Sequence, residues 1–91
     1  MKYIATDEAI NKLNEYGMNE IDVVKEHKSL YDLEHDKIDI GDVVMNWKNQ
    51  NLVISPIGKN TTMIFVYGQN IDKSYEDLPE IKYVNNKWIK K

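Results

Sequence analysis

The chain has 91 residues, 42% apolar and 30% charged, with a formal net charge of −3, a size and make-up that suit one small domain with one core. It has no cysteine, which excludes a disulfide framework and a thiolate metal site and favours a reducing, cytoplasmic setting. The longest apolar run, Met63 to Tyr67, is five residues against the about 20 a spanning helix needs, so no membrane is expected as a partner.

Charge reaches the chain early, at Lys2, Asp7 and Glu8, before an export signal could form, so no export is expected. Thr6 suits a helix N-cap, with Asp7 and Glu8 where the helix dipole favours acids, and Ala9, Ile10, Leu13 and Tyr16 follow at helical spacing. Gly17 is the stop. Asn19 can cap a second helix with Glu20 and Asp22 in its first turn and Val23, Val24, His27, Leu30 and Tyr31 on one face. Ser29-Leu30-Tyr31-Asp32 also fits a capping box, which would start a short third helix there. The helical part is expected to close near Asp36.

From Lys37 the period changes to two. Ile38 and Ile40 alternate with polar neighbours, Gly41-Asp42 is a turn or bulge, and Val43, Met45 and Trp47 resume the alternation. Leu52-Val53-Ile54 is a second strand that should end at Ser55-Pro56, and Thr61 to Tyr67 is a third, with Gly58 to Asn60 as the connection. After a polar loop from Gly68 to Pro79, Glu80 to Val84 and Lys87 to Lys90 form a hairpin turning at Asn85-Asn86, since Asn tolerates positive φ.

The expected fold is therefore α+β: a single domain, 1–91, in which two or three N-terminal helices (1–36) pack on a C-terminal antiparallel sheet (37–91). The Gly-Asp turn running into short aromatic strands resembles small SH3-like barrels, and that resemblance implies a closed version of the same sheet.

The sequence offers no readable catalytic set. His27 and His35 would lie about 12 Å apart on one helix, too far to share a metal, and His27 among apolar positions reads as a packed residue. Asp36 to Asp42 has isoleucines where a calcium loop needs oxygen ligands. Gly58-Lys59 lacks the glycine and hydroxyl residues of a phosphate loop, and no serine sits in a nucleophile elbow. The expectation is a protein without catalytic residues, metal or cofactor.

Charge is unevenly spread: residues 1–45 carry 11 acids and 5 lysines, residues 46–91 carry 4 acids and 7 lysines. This predicts a protein-binding module that presents an acidic helical surface, with Glu26, Asp32, Glu34 and Asp36 meeting a partner with a basic surface, and self-association as a further option for so small a domain. All twelve positive charges are lysines; AT-rich coding DNA gives such a bias, which points to a low-GC bacterium or its phages and to a mobile-element inhibitor of a host protein as one form of the module. The alternative is a single-stranded nucleic-acid binder using Trp47, Lys48, Tyr67, Lys82, Lys87 and Trp88 as a stacking and phosphate surface, ranked second because the net charge is negative; the absence of Arg weighs against sequence-specific reading of DNA.

Overall fold

A computed structural model describes residues 1–34, 46–47, 52–68 and 77–91, with side chains at 1–31, 52–68 and 77–91. The element order is β1 (Lys2–Ala5), α1 (Asp7–Tyr16), α2 (Glu20–Glu34), β2 (Asn46–Trp47), β3 (Leu52–Gly58), β4 (Thr61–Val66), β5 (Glu80–Val84) and β6 (Lys87–Lys90). The architecture is α+β, two helices against one open sheet of order β2-β3-β4-β1-β5-β6.

Local signals set both helices. Thr6 caps α1 with extended backbone, its Oγ1 accepting the Ala9 N–H at 3.2 Å. Gly17 ends α1 in the left-handed region at φ 68°. The Gly17 N–H donates to Asn14 O and the Met18 N–H to Leu13 O, and the paired bonds, with Met18 and Leu13 both buried, make a Schellman stop. Asn19 and Asp22 then cap α2 reciprocally: the Asp22 N–H donates to Asn19 Oδ1 at 2.8 Å and the Asn19 N–H to Asp22 Oδ2 at 3.2 Å. Because α2 continues unbroken through Ser29 to Glu34, the third helix expected from the Ser29 capping box does not form. Leu30, the second residue of that box, is buried as part of the α2 face that also seats Val23 and His27, and this packing holds the helix through Ser29.

Four further expectations are corrected. The sheet is mixed, because β1 runs parallel to β4 and antiparallel to β5. It is also open, with β2 and β6 at its edges, so the SH3-like closure is not formed. Residues 2–5, within the 1–36 part expected to be helical, are an interior strand: Tyr3, Ile4 and Ala5 are all buried, with one face toward the helices and the other away. Likewise β3 passes through Pro56 to Gly58, where a register shift accommodates the turn into β4. Among the described residues β2 pairs with β3 only at Leu52 and Val53, so no described strand flanks β3 at Pro56 on the side away from β4, a setting in which proline is tolerated. The C-terminal hairpin forms as its sequence predicts, with Asn85 at φ 55° and Asn86 at φ 65°. Of the expected first strand only Asn46–Trp47 falls within the described residues.

The principal core lies between helices and sheet: Tyr3, Ala5, Ala9, Ile10, Leu13, Met18 and Val23 meet Leu52, Ile54, Ile64, Ile81 and Trp88. A second cluster, Ile4, Val53, Met63 and Phe65, is buried on the opposite face with Ile57 and Leu78 packed against it. Buried hydroxyls at Ser55 and Thr62 find no hydrogen-bond partner among the described residues.

Candidate interaction surface

Trp88 anchors one end of the helical layer. Its indole Nε1 donates to Met18 O at 2.7 Å, and its ring meets Tyr3 edge-on and Tyr83 at a tilt, both with centroids 5.1 Å away. The Asn14 carboxamide, projecting from α1, takes up both backbone groups of Trp88: Oδ1 accepts the N–H at 2.7 Å and Nδ2 donates to the carbonyl at 3.0 Å. This side chain stands where a further strand would pair with edge strand β6.

That wiring bears directly on the nucleic-acid alternative. Trp88 is 1% exposed and has no free face on which a base could stack, so its place is in the core. Tyr67 is 62% exposed, and Lys82 and Lys87 are exposed. The register aligns Lys82 with the Lys2–Thr61 row, which puts Tyr67 six residues, about 20 Å, farther along the sheet. The three therefore do not converge. Trp47 lies in β2 with its side chain outside the described residues, and Lys48 is wholly outside them. Phe65 is buried, Tyr83 half-buried, and the terminal lysines are engaged in ion pairs, Lys90 with Asp7 and Lys91 with Glu80, each at 2.8 Å. The Lys91 hydrogen bond holds the Glu80 carboxyl below the usual carboxylate range, against some desolvation.

On the acidic side, Glu26 is partly exposed on α2; Asp32 and Glu34 lie in α2 with side chains outside the described residues, and Asp36 is outside altogether. What the fold adds is separation. The two helices together hold eight acids and three lysines, a net −5, while the described residues outside them hold two acids and six lysines, a net +4.

His27 is buried, stacked on Tyr31, and 2.8 Å from Lys59 O. A carbonyl can only accept, so Nε2 carries the proton and ties α2 to the β3–β4 turn. The sequence expectation of a packed histidine holds. A small cavity of about 150 Å³ lies beside it, lined by Lys28, Tyr31, Lys59 and Asn60 as well. Among the described residues no three His, Asp or Glu side chains gather as metal ligands, and no helix is long and apolar enough to cross a membrane.

Sequence reading missed the outer flank of α2. Ile21 is 69% exposed and Val24 half-buried, and with Glu20, Lys25 and Lys28 they line an open groove of about 370 Å³. Past Glu20 and Ile21 a second groove of about 310 Å³ continues to Tyr83 and Asn86 on the β5–β6 hairpin. The Tyr3 hydroxyl, donating to Glu20 Oε2 at 2.7 Å, fixes the carboxylate at the junction. Burial, then this bond and the Glu20 charge, push the Tyr3 phenol up. The available signal was the lone Ile21 beside acids, which fits neither the buried face of Val23, His27 and Leu30 nor a fully polar exterior.

Compared with known protein families, with curated proteins and with solved structures, the chain matches none.

Proposed function

We propose that the protein is a binding module without chemistry of its own, whose acidic helical layer docks onto a basic surface of another protein. The observation that carries this reading is the division of charge across the fold: −5 on the helices and +4 on the described remainder, arranged as two layers of one small domain. Charge sorted onto one side steers encounter and orients the docked pair, because the field reaches about 8 Å at physiological salt. Glu8, Glu15 and Glu26, none of them buried, stand on that side. Where the partner is an enzyme with a basic active site, such docking inhibits it, which is the form a mobile-element inhibitor would take.

The experiment is affinity capture by the wild-type chain and by a Glu8→Lys/Glu26→Lys variant, followed by reconstitution with the purified captured protein. The expected result is a stoichiometric complex whose association slows with added salt and with charge reversal. Absence of a stoichiometric partner at both low and moderate salt would sink the proposal, as would a complex indifferent to salt and to both substitutions.

A further inference from the structure

The geometry points to a second copy of this chain as the occupant of the α2 groove, forming a two-fold dimer about Val24. This stands apart from the docking of the acidic layer and uses a different strip of α2. The strip runs Glu20, Val24, Lys28 at i, i+4, i+8, so the three share one ridge, with Ile21 alongside. Val24 is its midpoint: Glu20 lies about 6 Å before it along the axis and Lys28 about 6 Å after it.

A two-fold axis through Val24, perpendicular to the helix, therefore sets Glu20 of each copy opposite Lys28 of the other. Both ends of the contact are then closed by opposite charges. A parallel pairing in register would instead face Glu20 with Glu20 and Lys28 with Lys28. The ridge is thus complementary to itself in one orientation, which is the requirement of an isologous interface. Between the charged ends, Ile21 of one copy enters the space bounded by Val24 and the lysine stems of the other, covering the most exposed large apolar side chain among the described residues. Glu20 is prepared for the role, since its Oε2 is already held by the Tyr3 hydroxyl and less freedom is lost on pairing. One helix ridge is a small contact, so association belongs to the weak, concentration-dependent class.

Sedimentation of the wild-type chain, of Glu20→Lys, of Lys28→Glu and of an equimolar mixture of the two variants tests this. The wild-type mass is expected to rise from 10.7 kDa toward twice that value at sub-millimolar concentration. Each variant alone faces like charges and stays monomeric. Their mixture restores Lys–Glu pairs at both ends and recovers the dimer, while self-association of the wild-type chain is what singles out this orientation, since a parallel pairing of wild-type copies faces like charges. Since Glu20→Lys also removes the Tyr3 bond, Val24→Cys provides an independent measure: the chain has no cysteine of its own, and a cysteine on the axis forms a disulfide-linked dimer several times faster than one at exposed Asn11 on α1. A wild-type chain that remains monomeric throughout, a mixture no heavier than its components, or equal cross-linking at positions 24 and 11 would overturn the assignment.

Discussion

Where α1 meets β6, Asn14, Met18 and Trp88 are joined by three hydrogen bonds and the indole is held between two tyrosines; along the outer flank of α2, Ile21 stands 69% exposed over an open groove. Both regions belong to the same helical layer. The first spends its aromatic and amide groups on fixing one arrangement, which makes it costly to change. The second leaves Ile21 and the lysines Lys25 and Lys28 exposed, which suits it to association. With the α2 flank as the proposed contact surface, stability and association fall to different residues, and changes in one region should leave the other largely intact.

Trp88→Ala is the severest way to break that division. Loss of a fully buried indole is expected to cost about 3–5 kcal/mol in denaturant unfolding followed by far-UV circular dichroism. A cost below about 1 kcal/mol would remove Trp88 from its anchoring role. Asn14→Ala comes next, at about 1–2 kcal/mol, with faster exchange of the Trp88 amide proton. The sign is informative because alanine at an exposed helical position otherwise favours the helix. Thr6→Ala removes the acceptor of the Ala9 N–H and is expected to cost about 1 kcal/mol, read as a lower thermal midpoint.

The Tyr3 phenol sharpens the boundary between the regions, since it touches both Trp88 and Glu20. Its folded-state value is raised above the unfolded one, so its contribution is fully present below about pH 10 and is lost as pH rises, when the unfolded chain ionises first. Stability should fall on the alkaline side, and Tyr3→Phe should flatten part of that fall. Ile21→Ser is the mildest change. It should alter folding stability by no more than about 0.5 kcal/mol, confirming that the α2 flank is dispensable for the fold.

The sequence discloses features that a short stretch of backbone decides for itself. Thr6 and Gly17 bound α1, Asn19 caps α2, and Asn85-Asn86 turns the final hairpin, because each acts through its own side chain or its own φ within one turn of chain. Features decided by distant partners were hidden. Nothing near Lys2–Ala5 shows that these residues become an interior strand, since their pairing partner begins at Thr61 and a strand covered on both faces lacks alternation. Pro56 read as a strand end because a proline's tolerance depends on whether a neighbour needs its N–H, which only the sheet reveals. The aromatics turn on the same point: composition counts Trp88, whereas register puts it with Tyr83 on the face beneath the helices. For the proposed contact surfaces, the excess of acids in the first half is legible in the sequence, but the exposed Ile21 and the ridge from Glu20 to Lys28 require knowing which side of α2 is covered.

Asn14 also determines where the sheet stops. An uncovered terminal strand offers its amide hydrogens and carbonyls to any extended segment that drifts past, and this is how soluble chains template fibrils. Here a single carboxamide, delivered by a helix, occupies that position at the middle of β6 and imitates a neighbouring backbone. Growth by strand addition from this side first has to displace it.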